Sequence, residues 1–546
     1  MESVGIALIL LVAVVLSGTL SRLSPVAIPL PLIQIALGVL IATVFGAGVE
    51  LQPEVFFLLF LPPLLFLDGW RIPKEGLFRD RAVILELALG LVVLTVLGVG
   101  VLIKWMIPSM PLPVAFALAA IVSPTDPIAV SAIAARVPIP KRLMHILEGE
   151  SLLNDASGLV CMQLAVAAAL TGVFSLTSAF GTFLWLAIGG IAIGAGVTLV
   201  VTKVKDYVSH KLGEEPGSQI LISLLIPFGA YLLAEHFHCS GILAAVAAGI
   251  AMSYAEQTGQ ALGVTRVRRG AVWDTMQFAL NGIIFVLFGE QLPKIISGAA
   301  KVVTETGHMH PAWLLGYVLA INIALGLLRF AWVWVSLRFT LFRAARQGRT
   351  MYKPHWRLLA ATSLAGVRGA ITLAGILTLP LAMNDGTPFP ARDLAIFLAA
   401  GVIVFSLIAA SISLPFLLHN LELPPEPSAR QEEDIARIAA AEAAIRAIEK
   451  HQHALGQGRT DADIYSDVGA RLMELYRRRI EGSKTGDDAE TARMMADVDR
   501  RLRLAALRAE RDEFFRLGRT RVVSDEIIRR LVREIDLAEA RYNLSS

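Results

Sequence analysis

The stretch His145–Ala156, HILEGESLLNDA, sets Glu148, Glu150, Ser151, Asn154 and Asp155 into a segment that runs on as SGLVCMQLAVAAAL, apolar enough to lie in a membrane. Acids there need a chemical reason. An ionised carboxylate at mid-bilayer costs at least ~2.5 kcal/mol on insertion scales, so such a group faces a wet cavity, finds a partner, or sits on an ion or proton path. At 100° per residue, Glu150, Ser151, Asn154 and Asp155 fall at about 0°, 100°, 40° and 140°, on one flank of a helix. That flank cannot face lipid. The competing reading is a buried polar knot that merely ties helices together, and four clustered groups weigh against it.

The elements that must hold this flank are apolar helices. The chain has 546 residues, 55% hydrophobic and 17% charged, with a mean hydropathy of +0.63. An ordinary soluble protein of this size is not built so. Apolar runs of the length that crosses ~30 Å of hydrocarbon follow one another through the first three quarters of the chain. Thirteen spans are expected: 4 to 21, 27 to 46, 54 to 69, 82 to 103, 112 to 134, 143 to 171, 179 to 202, 218 to 236, 240 to 254, 271 to 291, 312 to 337, 358 to 381 and 393 to 419. The N-terminal MESVGIALILLVAVV lacks the basic n-region of a cleaved signal and is expected to be a retained first span.

The loops test that count. One alternating set carries twenty Lys and Arg; the other has four, Lys104, Lys294, Lys301 and Arg392. Since positive loops stay cytoplasmic, the N-terminus is expected outside and the C-terminal tail inside a cell membrane. A net charge of +3 gives no reason to expect a nucleic-acid partner.

Two spans are interrupted. In the fifth, AFALAAIVSPTDPIAVSAIAA, Pro124 and Pro127 each lack a backbone donor and clash with the preceding turn, so the helix should open around Thr125 and Asp126. In the twelfth, LLAATSLAGVRGAITLAGILTLP, Gly366 and Gly369 flank Arg368 and weaken the middle. Unwound backbone at membrane depth is tolerated only inside protein or along a cavity. With the seventh span set aside, spans 1 to 6 and 8 to 13 form two six-helix halves of opposite orientation, with the broken fifth and twelfth in equivalent places. Such inverted halves point to a secondary transporter with a mid-membrane site.

From Glu422 the composition changes to a Pro-rich exit, LPPEPSARQEE, and then to four helical patterns among Arg and Glu, with Thr460 a plausible N-cap. The expected organisation is a transmembrane domain over 1–421 and a cytoplasmic helical domain over 422–546, the latter serving stability or dimer contacts.

These motifs resemble the cation/proton antiporters of the sodium/hydrogen exchanger type: SPTDPIAV at 123 to 130, EGESLLNDA at 148 to 156 and GVRGAITL at 366 to 373 arrive in that family's order, and LPPLLFLDGW at 61 to 70 is similar to its third span. The resemblance covers roughly residues 4 to 419. It implies an all-α membrane protein with broken, crossing helices 5 and 12, working as a homodimer. It also implies that Asp155 is the essential carboxylate holding either cation or proton, and that Asn154 marks the Asn-Asp branch. Thr125 would offer a backbone carbonyl with Asp126 close by, Ser151 its hydroxyl, and Glu150 a direct or water-mediated contact. Arg368 resembles the arginine that neutralises Glu150 and supports the broken twelfth helix; Arg329 sits where the family often has a basic residue. Asn281 stands where animal exchangers carry an acid.

The residues themselves agree. A small hard cation such as Na⁺ wants oxygen ligands, and Asp155, Ser151, Glu150 and the carbonyls near Thr125 supply only oxygens. Cys161 and Cys239 form no CxxC pair, and no His or Cys pair suggests a transition metal. No cofactor is expected: Na⁺ and H⁺ are substrates that compete for one buried carboxylate. Because Asn154 carries no proton, the expected exchange is one cation for one proton, with K⁺ in place of Na⁺ or Li⁺ as the alternative. Asp68 and Glu86 are expected to snorkel or pair with loops near the cytoplasmic ends of spans 3 and 4. Glu148 could draw cations into the inner mouth, and His236 and His238 suit a surface role. An intramembrane aspartyl protease would need a GxGD-type motif, absent from both SPTDP and LLNDA. A passive channel is disfavoured by inverted broken helices around a single carboxylate, and a sensor without transport by the intact Asp155, Glu150 and Arg368.

Overall fold

The computed structural model describes residues 2–24, 28–45, 53–72, 74, 81–126, 130, 141–172, 176–256, 262–305, 312–346, 355–419, 429–456, 462–482, 487–520, 523 and 525–543. Pro127, Thr460 and most of the Pro-rich exit lie outside them. Among the described residues all regular structure is helical, apart from one isolated bridge between Ala382 and Pro388. The chain forms two compact units, Met1–Glu422 and Leu423–Ser546.

Each of the thirteen apolar stretches holds a helix. Among the described residues, eight helices are long and apolar enough to cross a membrane by length and composition, while Leu30–Val44, Leu112–Val122 and Gly241–Glu256 are apolar but shorter. Three helices outrun the stretches that announced them: Leu176–Leu212 with 37 residues, Gly263–Glu305 with 43 and Ala312–Arg346 with 35. Hydropathy marks only the part matched to hydrocarbon, whereas the backbone ladder continues until something stops it. At 1.5 Å per residue the longest is about 65 Å, twice the ~30 Å core.

The fifth span is helical over Leu112–Val122 and then leaves the helix at Ser123 through Asp126, where Pro124 can neither donate to Ala120 nor avoid its carbonyl. The twelfth is helical over Trp356–Leu364 and again over Ala370–Leu377, with non-helical backbone between. The two openings meet: the Asp126 amide donates to the Val367 carbonyl at 2.7 Å. Gly369 permits that approach, since a Cβ there would overlap the Asp126 carboxylate.

The sixth span is one helix, Lys141–Thr171. Gly158 lets the fifth span lie against it, because a Cβ at 158 would stand 2.5 Å from Pro124 Cγ and 2.9 Å from the Ala120 carbonyl. On another side it meets the fourth span, which runs Arg81–Leu85, a π-helical turn Glu86–Leu91, then Val92–Met106. The wider turn frees a carbonyl at Ala88, which accepts the Ser157 hydroxyl at 2.7 Å.

The third span, Pro53–Arg71, is pinned to the ninth and tenth. Phe66 stacks on Trp273 at 5.3 Å, Trp70 Nε1 donates to Glu256 at 2.7 Å, Arg269 pairs with Glu256, and Arg71 pairs with Asp274 and donates to Gln277 at 2.8 Å.

The second unit holds the helices Ala429–Gly456, Ala462–Gly482, Asp487–Arg519 and Asp525–Asn543. Its few buried apolar residues include Ala441, Ile528 and Ile535, and Arg511 pairs with Asp536 and Glu539.

Candidate ion-binding site

The polar flank of the sixth span divides into two faces. Ser151 and Asp155, one turn apart at about 100° and 140°, open into a cavity shared with Thr125 and Asp126 of the opened fifth span, Asp68 of the third, Asn281 of the tenth, and Gly369 and Thr372 of the twelfth. Glu150 and Asn154, at about 0° and 40°, are turned away from it. All four are nearly sealed from solvent, Glu150 at 0%, Ser151 at 6%, Asn154 at 1% and Asp155 at 5% exposure.

The cavity face is rich in oxygen and poor in positive charge. Asp155 and Ser151 present a carboxylate and a hydroxyl, and no arginine or lysine among the described residues pairs with Asp155. A carboxylate so placed has little water around it to hydrate a charge.

The hidden face is a closed ionic network. Arg329, from the helix Ala312–Arg346, reaches Glu150 with Nη1 at 2.5 Å from Oε1 and Nη2 at 2.7 Å from Oε2, while its Nε donates to the Thr362 carbonyl at 3.1 Å. Two parallel bonds between a guanidinium and a carboxylate are among the strongest polar contacts a protein makes. Asn154 Nδ2 donates to Thr125 Oγ1 at 3.1 Å and to Glu150 Oε1 at 3.5 Å, and Thr125 Oγ1 lies 3.5 Å from Glu150 Oε1. Asn154 Oδ1 is buried without a hydrogen-bond partner among the described residues. Thr125 joins both faces, lining the cavity while its hydroxyl serves the network.

This corrects the reading of Glu150 and Arg368. The arginine that holds Glu150 is Arg329, and Glu150 lines no part of the cavity in which a cation would sit. Arg368 instead turns to backbone: Nε donates to the Val122 carbonyl at 2.9 Å and Nη1 to Gly366, while its amide donates to Ser406 Oγ at 3.1 Å. A helix that stops inside the membrane leaves carbonyls without partners, and each of the two broken spans hands such a carbonyl to a buried arginine, Val122 to Arg368 and Thr362 to Arg329. Arg368 thus bonds to the end of the fifth span at Val122 and to the opened backbone of the twelfth at Gly366, and the ion pair with Glu150 is made by Arg329.

Asp68 is the second correction. Asp68 does not snorkel to the membrane edge but faces the cavity with Leu61, Leu64 and Leu65, while Arg71, one turn on, pairs with Asp274. Spacings of three, four and seven put all four on one helical face, a signal present in the sequence. Nothing local showed which helix that face meets.

In this helical protein two opened helices meet beside a buried Asn-Asp pair. The chain belongs to the sodium/hydrogen exchanger family, whose transmembrane model matches residues 7–420. It is 42% identical over 540 residues to the uncharacterized Na(+)/H(+) exchanger YjcE of Escherichia coli (strain K12), covering 98% of this chain and 97% of that protein. It is 43% identical over 417 residues to a sodium, potassium, lithium and rubidium/H(+) antiporter of Bacillus pumilus, covering 75% of this chain and 60% of that longer relative. Among solved structures, the sodium proton antiporter MjNhaP1 of Methanocaldococcus jannaschii shares the fold, with a TM-score of 0.57 over 77% of this chain and 99% of that one at 19% identity. The protein is thus a membrane transporter of the antiporter class.

Proposed function

We propose that this chain exchanges Na⁺ or Li⁺ for H⁺ by alternating access around Asp155, one cation for one proton. The observation that carries this reading is the split of the sixth span: Asp155 and Ser151 open into the cavity with Thr125, while Glu150 is held on the other side by Arg329. On the sixth span one carboxylate, Asp155, is left facing the cavity to carry cargo, and it takes either a proton or a cation stripped of part of its water. Asp155, Ser151 and Thr125 form the cation's oxygen shell, with Asp126 beside them. The exchange moves little net charge, because Asn154 binds no proton and Glu150 is permanently matched by Arg329.

The thirteen spans fall into two inverted six-helix halves, with the N-terminus outside and the second unit in the cytoplasm, and two copies assemble as a homodimer. A reading with K⁺ as cargo uses the same site; the name of the Bacillus pumilus relative, which includes potassium and rubidium, favours it. Selectivity rests on cavity size and ligand number.

Fluorescence dequenching in everted membrane vesicles, with Na⁺, Li⁺ and K⁺ added in turn across pH, tests the proposal. Saturable, cation-driven proton efflux is expected from the wild type and none from Asp155→Asn that is inserted and folded. Retained exchange in that variant would refute Asp155 as the carrier.

A further inference from the structure

The hidden face of the sixth span carries one more polar group than the ionic network uses. On the wheel that puts Glu150 at about 0° and Asn154 at about 40°, Ser157 falls at about 340°, some 160° round the helix from Asp155. It is buried at 6% exposure, and its hydroxyl donates to the Ala88 carbonyl of the fourth span at 2.7 Å, with the Asn154 carbonyl farther off at 3.1 Å. That acceptor exists because of the π-helical turn Glu86–Leu91: the Val92 amide, which an unbroken α-ladder would give to Ala88, bonds Leu89 instead. The turn is boxed in by the eleventh span, since a Cβ on Gly90 would stand 2.5 Å from Trp332 Cζ2. The sixth span is thus tethered from behind by three different helices: Glu150 to Arg329 of the eleventh, Asn154 to Thr125 of the fifth, and Ser157 to the fourth. The first two tethers precede Asp155 in the chain. Ser157 follows it, and Gly158 beside it adds close packing against Pro124.

We propose that Ser157 is a positioning residue for the exchange: anchored on the Ala88 carbonyl of the π-helical turn, it fixes the roll of the sixth helix so that Asp155 stays aimed at the oxygen shell it shares with Ser151 and Thr125. The inference rests on the proposed carrier role of Asp155 and adds what aims it. With side chains reaching about 5–6 Å from the axis, a roll of about 10° moves the Asp155 oxygens by about 1 Å. The two cargoes respond differently to such a shift. A proton needs one carboxylate oxygen, whereas a hard cation needs several oxygens at once, at distances that tolerate about 0.2 Å. Loss of the tether therefore weakens the hold on the cation and leaves the proton as strong a competitor as before. Ser157 touches neither cargo; it acts through the helix that carries Asp155.

The test uses purified full-length protein in proteoliposomes, with Na⁺, and K⁺ where Na⁺ is not transported, as probe. Ser157→Ala should raise KM for the cation at least about threefold, with a smaller change in kcat. At saturating cation the acid limb of the pH–rate profile should move to higher pH by about half a unit, the logarithm of that factor. The other charged groups lining the cavity, Asp68 and Asp126, are untouched by the substitution, so the shift reads the hold on the cation. Ser157→Thr keeps a hydroxyl and should hold KM near the wild type, while Ser157→Val, of the same shape without it, should match Ser157→Ala. Any steric cost of the added methyl is common to those two. Wild-type KM and acid limb in Ser157→Ala, whatever its kcat or melting temperature, or equal KM in the Thr and Val variants, overturns the inference. If Ser157→Ala fails to insert, the Thr–Val comparison decides. Should the wild type exchange no cation for H⁺, or Asp155→Asn still exchange, the reading of Asp155 falls and this inference with it; if both behave as proposed and only the Ser157 shifts are missing, Ser157 alone is misassigned.

Discussion

Arg329 holds Glu150 through both ends of its guanidinium, at 2.5 and 2.7 Å, with both residues sealed inside the protein. Removing one partner strands a buried charge, which costs about 3–5 kcal/mol, whereas removing both charges leaves nothing unpaired. Arg329→Met should therefore strongly lower the melting temperature of the detergent-solubilised protein, and Arg329→Met with Glu150→Gln should melt higher than Arg329→Met alone. A double variant that melts no higher would show that the pair is not what Arg329 is there for.

Asn154 donates to both Thr125 and Glu150. Asn154→Asp removes those donations and sets a second negative charge one turn from Glu150, so the substitution should destabilise by about 1–3 kcal/mol at neutral pH and less in acid, where the new carboxyl takes a proton. Thermal melts across pH read this out; a penalty that grows on acidification contradicts it.

If proton and cation compete for Asp155, protons behave as competitive inhibitors of cation uptake. Apparent KM for the cation should rise about tenfold per unit of falling pH once the medium is more acid than the carboxylate's titration point, with kcat little changed. Initial rates at graded Na⁺ and pH would expose a failure as a falling kcat at constant KM.

If Asp155 is the single carrier and Asn154 binds no proton, exchange moves no net charge. Transport into proteoliposomes at zero pH gradient should ignore a valinomycin-imposed voltage. Uptake that follows the voltage would require a second titrating group.

Gly369 has no room for a methyl, because the Asp126 carboxylate occupies the place. Gly369→Ala should cost about 1–3 kcal/mol of stability and slow exchange, and Asp126→Ala in the same chain should restore part of the stability. A double variant as unstable as the single would place the strain elsewhere.

How much of this could be read before the fold was known depends on the range of the signal. Pro124 and the Gly366–Gly369 pair break helices through their own backbone chemistry, so both interruptions are written locally. The helical wheel put Glu150, Ser151, Asn154 and Asp155 on one flank, but a flank about 140° wide touches two different neighbours. The division into a cavity face and an ionic face depends on where the eleventh span lies. For the same reason two buried arginines, Arg329 and Arg368, and one glutamate could not be matched: each is within plausible reach, and only packing decides that Arg329 arrives while Arg368 meets Val122 and Gly366. Asp68 stands near the end of an apolar span, which by itself suits snorkelling; its place in the cavity depends on packing against the fifth, sixth and tenth spans. The π-helical turn at Glu86–Leu91 has no local sequence signal that we can identify.

The bond from the Asp126 amide to the Val367 carbonyl, with Arg368 clamped on Val122, makes a splice of two interrupted spans. Neither can stretch, twist or slip register by itself without tearing a buried polar contact. A disturbance in one is passed to the other, and any movement that turns Asp155 from one side of the membrane to the other has to carry this splice along whole.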